Sequence, residues 1–258
     1  MDDSTPLFGR KTKKHWLDIK EKIEQDSNEV TDWTSAIDLL EARLETRYFQ
    51  PIRKILDSSK AKNDDGTVMA LSGEGFAAMT LICSLIEFLQ SCYEGKEYKL
   101  RAAEADFVYG YSGEKFKSFL LQHKPFKAIF SQSVSVPVIG PPRIDNFADD
   151  FYSNVRCGLL HEAATKDNWK IKVGDRDYNP ENFVDISNEA SKIIYRNNFF
   201  GAIKSYFEDY KKKIIEDKEE TFNDGRGNRN LNLRNGFCRK LDLLCNTPDS
   251  ERIEKWWQ

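Results

Sequence analysis

The segment from Phe147 to Asn168, FADDFYSNVRCGLLHEAATKDN, constrains the fold of this chain more than any other stretch. Phe151, Val155 and Leu159 recur at intervals of four residues, which is the spacing of an amphipathic helix with one buried side. The pattern therefore predicts a helix, and it also fixes which side of that helix faces the interior.

Two residues of this predicted helix carry chemistry, because Arg156 and His161 lie in it with four residues between them. At about 100° per residue, His161 falls nearly opposite the apolar stripe, beside Asn154 and Cys157, while Arg156 lies on the flank. Histidine exchanges protons near neutral pH, and the arginine fork fits phosphate oxygens. The pair suits phosphate-ester chemistry. The alternative is an ordinary ion pair for Arg156 and a partly exposed, satisfied histidine.

The run FYSNVRCGLLHEA resembles the signature helix of the HEPN superfamily, the higher eukaryotes and prokaryotes nucleotide-binding domains. Members carry Arg-x4–6-His on an inward-facing helix of an α-helical bundle, and Arg156 and His161 match the two fixed positions. Many members are ribonucleases that need no metal ion and act as dimers, with the two motifs facing each other. Active members often have a polar residue after the arginine, where this chain has Cys157.

Glu87 lies between Ile86 and Phe88 in a nearly apolar segment, where an ionised carboxylate needs a partner. HEPN domains frequently carry an acidic or polar residue on an earlier helix that faces the arginine of the motif. The resemblance therefore implies that Glu87 pairs with Arg156 and orients it. The alternative is that Glu87 lies on a polar seam and meets solvent or a lysine.

Composition indicates a soluble globular protein, since 40% of the 258 residues are hydrophobic and 31% are charged. A formal net charge of −3 argues against a nonspecific nucleic-acid coat protein, although it allows a local basic groove. The five cysteines and three histidines are scattered, so we expect neither a metal nor a cofactor. No apolar run approaches a membrane span and the N-terminus has no apolar signal core, so we expect a cytoplasmic protein.

Apolar periodicity predicts a mainly α fold. A first helix is predicted to begin near His15. A second begins near Thr31, reaches Phe49 and is interrupted at Pro51. Three more helices are predicted, from Phe76 to Tyr93, from Ser112 to His123 and from Ser187 to about Asp217. With the resemblance, this order implies a HEPN-like up-and-down helical bundle. We predict a flexible tail over 1–14, the helical domain over 15–220, and a basic loop with a C-terminal helix over 221–258, packed on the same domain.

Several segments are predicted to be extended. Prolines between Phe130 and Asn146 exclude a helix there. Residues 169–173 and 182–186 alternate like paired strands and predict a small β-hairpin after the signature helix. A short strand is also expected at Val68 to Leu71.

The strongest basic stretch, from Asp224 to Arg239, contains Arg226, Arg229 and Arg234 among Asn and Gly residues. It could be a flexible loop that contacts RNA, since Arg and Asn donate to phosphates and base edges. An ordinary surface loop is the alternative. A short helix from Thr247 should follow, and its terminal tryptophans should dock on the body or on another protomer.

The resemblance implies a metal-independent endoribonuclease, serving in bacterial defence or as a toxin. The RNA 2′-hydroxyl would attack the adjacent phosphate, with His161 moving the proton, Arg156 stabilising the phosphoryl oxygens, Asn154 donating a hydrogen bond and Glu87 orienting Arg156. Because Arg156 and His161 lie about 140° apart around the helix, we expect a composite site in a homodimer. An antitoxin or defence-system protein would be a further partner.

Two other interpretations remain at this point. One is a noncatalytic HEPN module that binds a partner protein or a nucleotide, which Cys157 favours. The other is a helical structural protein in which the motif is accidental.

Overall fold

The chain is mainly helical, as predicted. A computed structural model describes residues 4–58, 73–103, 107–136, 143–216, 221–223, 230–252 and 254–257. The strand expected at Val68 to Leu71 lies outside these ranges. The chain divides into two compact units, each assembled from separate stretches: unit one contains residues 1–50, 88–112 and 208–258, and unit two contains residues 51–87 and 113–207.

Unit one consists mainly of helices. Its described residues contain three complete α-helices: α1 (Lys13–Gln25), α2 (Val30–Leu44) and α10 (Leu233–Leu244). It also contains two pairs of short strands. These are β1 (Glu97–Tyr98) with β2 (Val108–Tyr109), and β8 (Thr221–Asn223) with β9 (Asn230–Asn232). The N-terminal segment belongs to the core, because Leu7 and Phe8 are buried and Phe8 forms a β-bridge with Lys11. The expectation of a flexible tail is therefore wrong for these residues, because their apolar side chains are buried.

The buried carboxylate of Asp242 in unit one holds the last tryptophans of the chain, Trp256 and Trp257. Asp242 is completely buried and accepts hydrogen bonds from Lys20 at 3.0 Å and from the indole of Trp16 at 2.8 Å. Trp256 and Trp257 each donate to its other oxygen at 3.0 Å. The tryptophans dock on the body, which is one of the two expected arrangements. The segment leading to them forms two 3₁₀ turns, Asp249–Glu251 and Lys255–Trp257, in place of the predicted helix.

The predicted interruption at Pro51 does not occur. A π-helical turn, Glu45–Phe49, follows α2, and helix α3 (Gln50–Ser58) begins directly after it with Pro51 in its first turn. Helical backbone is continuous from α2 into α3, so Pro51 lies inside a helix, and the altered hydrogen-bond pattern of the π-helical turn lies directly before it.

Unit two is built around aromatic side chains. Its helices α5 (Ser112–Gln122) and α6 (Lys127–Phe130) surround Phe151 together with the start of α9 (Arg196–Glu216). Phe151 stacks on Phe199 with ring centroids 5.7 Å apart and meets the edge of Phe130 at 5.2 Å. Each such aromatic pair contributes about 1 kcal/mol beyond the burial of its area.

Unit two also contains a three-stranded sheet in the order β5 (Trp169–Lys172), β7 (Lys192–Tyr195), β6 (Val184–Asp185). β7 pairs with β5 in parallel and with β6 antiparallel, so the predicted direct hairpin is wrong. The predicted helix start at Ser187 is also wrong, because Ser187 donates to Asp185 in a turn that ends β6. Helix α9 starts only after the buried isoleucines of β7.

Residues on either side of 137–142 are extended, as predicted, and they are also paired. β3 (Ser133–Val136) and β4 (Arg143–Asn146) form an antiparallel ladder. The proline-containing residues between them lie outside the described ranges.

Helix α4 (Glu74–Glu94) is the most apolar in the chain. By length and composition alone it could cross a membrane, with a mean hydropathy of 1.5 over its most apolar 18 residues, of which 61% are buried within the chain. The expectation that no apolar segment reaches the length of a span is therefore wrong. The burial is what a core helix of a soluble protein also shows.

Candidate functional site

The helix predicted from the apolar stripe is present and occupies residues 147–162, which we call the signature helix. It comprises α7 (Phe147–Phe151), a π-helical turn (Tyr152–Arg156) and α8 (Cys157–Glu162). The side chain of Asn146 caps it by accepting from the backbone N–H of Asp149 at 3.0 Å. The predicted stripe of Phe151, Val155 and Leu159 is buried.

Arg156 ends the π-helical turn and faces Glu87, as the resemblance implied. Its Nη2 lies 3.9 Å from Oε2 of Glu87, and the two side chains are 19% and 20% exposed. The guanidinium carbon also lies 5.5 Å from the ring centroid of Tyr152. Arg156 is therefore held from two sides while part of its side chain remains accessible to a ligand.

Two thiols lie near this ion pair. Cys83, one turn before Glu87 on α4, is buried, and burial raises the pKa of its thiol to about 12 despite the opposing charge of Arg156. Its side chain therefore stays protonated at neutral pH. Cys157 is only partly buried and follows Arg156 directly.

His161 lies elsewhere on the signature helix. It is exposed, and its ring has no hydrogen-bond partner among the described residues. In the described part of the chain no contact joins it to Arg156, so one protomer does not bring the two together. The angle of about 140° between positions five residues apart in an α-helix accounts for this separation.

Asn154, the fourth predicted catalytic residue, is held by a carboxylate that sequence reasoning missed. Its Nδ2 donates to Oδ1 of Asp150 at 2.7 Å. The other oxygen of Asp150 accepts from the indole of Trp169 at 2.9 Å and from the ammonium of Lys192 at 2.8 Å. Asp150 is only 5% exposed. The only sign of this cluster in the sequence was an acidic residue, Asp150, beside the apolar stripe. Its position in the sequence does not indicate which residues it binds.

Lys192 completes this cluster and also holds the loop that follows the signature helix. It donates to Asp167 at 2.8 Å as well as to Asp150. Burial alone would lower the pKa of Lys192, but hydrogen bonds to the two carboxylates outweigh it and the pKa is raised. The loop needs this support, since Ala163, Asp167 and Asn168 all have positive φ, a conformation that strains residues other than glycine.

The same loop folds back against the helix. The backbone N–H of Lys166 donates to the carbonyl of Asn154 at 2.8 Å. A Cβ atom at Gly158 would lie 2.5 Å from the carbonyl oxygen of Ala164, so only glycine allows this close approach.

The predicted RNA-contacting arginines are placed only in part. Arg226 and Arg229 lie outside the described residues. Arg234 lies in unit one at the start of α10, so the loop predicted through Arg239 is wrong in its second half. Its guanidinium donates to the carbonyls of Ile214, Ile215 and Ser27 and stacks 4.0 Å from the ring centroid of Trp33. Arg234 thus has a structural role, and RNA binding by these arginines stays a prediction.

No family model, curated protein or solved structure matches the chain. Among the described residues, no group of three or more His, Cys, Asp and Glu side chains is arranged to hold a metal ion. The candidate site is therefore interpreted from its own geometry, together with the sequence resemblance.

Proposed function

We propose that this protein is a HEPN-type endoribonuclease that cleaves RNA without a metal ion, at a site shared by two protomers. The observation that supports the proposal is the ion pair between Arg156 of the signature helix and Glu87 of α4. The exposed side of the signature helix carries His161. The finer assignments made from sequence are part of this proposal: a HEPN-like up-and-down bundle, residence in the cytoplasm, a defence or toxin role, and an antitoxin or defence-system partner.

Arg156 would act on the phosphate. An arginine side chain presents paired N–H donors in a planar fork that match phosphoryl oxygens. Glu87 restrains its direction, so the cation is in place before negative charge develops on those oxygens. Fixed charges of this kind are often the largest contribution to catalysis.

His161 would move protons. In its neutral form the imidazole takes the proton of the RNA 2′-hydroxyl as that oxygen attacks the adjacent phosphorus. The bond from phosphorus to the 5′-oxygen breaks, and this oxygen leaves with a proton from an imidazolium. The products are a 2′,3′-cyclic phosphate and a 5′-hydroxyl, so one proton is taken from the 2′-hydroxyl and one is returned to the 5′-oxygen.

A homodimer would bring the two groups together. Within one helix they lie about 140° apart, so a two-fold axis near the signature helix would place one protomer's histidine beside its partner's arginine. Leu160, next to His161, is 54% exposed and offers apolar surface for such a contact. A mass of one chain in light scattering at assay concentrations would contradict the composite site.

The deciding experiment is cleavage of total RNA and of tRNA by purified protein in EDTA. We compare the native protein with His161→Ala and with His15→Ala, a matched control because His15 is an exposed histidine of unit one. The proposal expects cleavage by the native and control proteins and none by His161→Ala. Equal cleavage by all three would place the activity outside this site, and we would withdraw the assignment.

A noncatalytic HEPN module is the second candidate, favoured by the partly buried Cys157 at a position that is often polar in active members. It expects no RNA cleavage by the native protein or by Cys157→Asn. Under it, Arg156→Ala and His161→Ala would change the binding of a partner protein or nucleotide, and no turnover would be lost.

A further inference from the structure

The contact between Asp150 and Asn154 fixes the direction of the Asn154 side chain. An ionised carboxylate only accepts hydrogen bonds, so the amide must turn its Nδ2 toward Oδ1 of Asp150, 2.7 Å away. The carbonyl end of the same planar amide then points away from Asp150.

Asp150 is itself held so that this direction is stable. Its second oxygen receives both the indole of Trp169 and the ammonium of Lys192. Lys192 places a positive charge 2.8 Å from this carboxylate, and because the pKa of Lys192 is raised, the lysine stays charged at neutral pH. Rotating the Asn154 amide by 180° would place a carbonyl oxygen against this buried carboxylate, which is unfavourable.

The outward group of Asn154 is therefore an acceptor. Its Oδ1 has no hydrogen-bond partner among the described residues. It is also not one of the completely buried polar atoms that lack a partner, so it is in contact with solvent. Nδ2 uses one of its two hydrogens on Asp150, and the donation by Asn154 that the sequence predicted stays a prediction. A ligand opposite Oδ1 must supply a hydroxyl or amino hydrogen.

The position of Asn154 indicates which part of a substrate it meets. It precedes His161 by seven residues on the signature helix, which corresponds to about 10 Å along the helix axis. That distance is too long for contact with the reacting ribose. It suits the sugar of a neighbouring nucleotide on the same strand.

We propose that Oδ1 of Asn154 accepts a hydrogen bond from the ribose 2′-hydroxyl of a nucleotide flanking the cleaved bond, with Asp150 as the positioning residue. This inference rests on the proposed function, and it adds a basis for choosing RNA over DNA outside the reacting nucleotide. The 2′-hydroxyl is the group by which a protein distinguishes the two nucleic acids at a given site.

The test uses an RNA oligonucleotide with one cleaved bond and a set of versions with single 2′-deoxy substitutions. These are placed at the two nucleotides on each side, leaving the attacking ribose intact. For the native protein, one substitution should lower kcat/KM about tenfold, as expected for one lost hydrogen bond. Asn154→Ala and Asp150→Asn should cleave that version and the all-ribose oligonucleotide equally well. Ser153→Ala, an exposed neighbour on the same helix, should keep the tenfold difference.

A purely structural role for these residues would give a different result. It would lower cleavage of every oligonucleotide by the same factor and leave the position-specific penalty intact, which would overturn the inference. Asn154→Ala removes only a partly buried side chain, so it remains informative if Asp150→Asn folds poorly. Failure of the native protein to cleave the all-ribose oligonucleotide is a separate result, which overturns the proposed function and with it the RNA contact.

Discussion

Asp242 in unit one and Glu87 in unit two are both carboxylates beside a cation, yet their surroundings are opposite. Asp242 is completely buried and holds Lys20 and three indoles at 2.8–3.0 Å. Glu87 is 20% exposed and lies 3.9 Å from a cation that is itself partly exposed. A carboxylate surrounded by buried donors stabilises a fold, whereas the pair of Glu87 and Arg156 is looser and partly exposed to solvent.

The energetic reason lies in desolvation. Burying a charge is costly, and the cost is offset only when hydrogen bonds and an opposite charge surround it. Asp242 is surrounded in this way. Arg156 does not require such surroundings, because part of its side chain remains in contact with water. The two regions should therefore respond differently to the loss of one partner.

The largest effect should come from Asp242→Ala. This change removes the acceptor of three indole N–H groups and one of the two carboxylates that hold Lys20. We expect the free energy of unfolding to fall by about 3–5 kcal/mol in a urea titration. Asp18→Ala, at an exposed position of α1, is the control and should change it little. Equal results for the two variants would remove the contrast between the regions.

Arg156→Ala should have the largest effect on function. We expect RNA cleavage to fall by a factor of about 10² to 10³, the usual cost of losing a group that stabilises phosphoryl charge. Stability should fall by only about 1 kcal/mol. Arg156→Lys should not restore the rate, because an ammonium lacks the paired donors. A large loss of stability with cleavage intact would show that Arg156 resembles Asp242 after all.

Glu87→Gln should have a smaller effect. The amide keeps the shape of the side chain but removes the charge that orients Arg156, so we expect cleavage to slow about tenfold, corresponding to roughly 1.4 kcal/mol. Thermal unfolding should stay nearly unchanged. Glu114→Gln, at an exposed position in the same unit, controls for the loss of a negative charge. A rate equal to that of the control would mean that Glu87 does not position the arginine.

A pH titration sharpens the description of the buried cluster. Burial would lower the pKa of Lys20, but the hydrogen bond to Glu254 and the charge of Asp242 outweigh it, and the pKa rises above its ordinary 10.5. The resulting stabilisation is fully present below pH 10.5 and is lost as the pH rises through the higher folded-state value. Unfolding temperatures measured from pH 8 to 12 should therefore decline less steeply in Lys20→Met than in the native protein.

The smallest effect should be seen in thiol labelling. Cys157 is partly buried, and the other four cysteines are buried. Native protein should therefore take up one equivalent of iodoacetamide at neutral pH, and Cys157→Ser should take up none. Rapid labelling of Cys83 would show that the surroundings of Arg156 open more than the structure indicates.

Helices could be predicted because their periodicity is local. The stripe at Phe151, Val155 and Leu159 and the apolar face through Phe116, Phe119 and Leu120 both lie within single helices, and both are buried. A side chain every third or fourth residue is sufficient to define such a face. Strand pairing is not local, so the parallel alignment of β5 with β7 could not be read from alternation.

Part of the candidate site could be predicted for the same reason, namely the helical position of Arg156 and His161 and the proximity of Glu87 to Arg156. Arg156 and His161 share one helix, and the resemblance added Glu87 on another. The cluster around Asp150 joins residues 19 and 42 positions apart in the chain, and no pattern within one segment relates them. The direction of the Asn154 amide depends on that cluster, so it could not be predicted from one segment of the sequence.

The π-helical turn at Tyr152–Arg156 has a consequence for how such a helix can change over time. A turn of this kind closes on five residues where an α-turn closes on four, so it is equivalent to one inserted residue. Val155 lies within the turn and is buried like Phe151 and Leu159, so the apolar stripe runs through it. Loss of one residue from the turn would therefore rotate both Arg156 and Leu159 by about 100° relative to Phe151, so the arginine and the buried stripe cannot change separately.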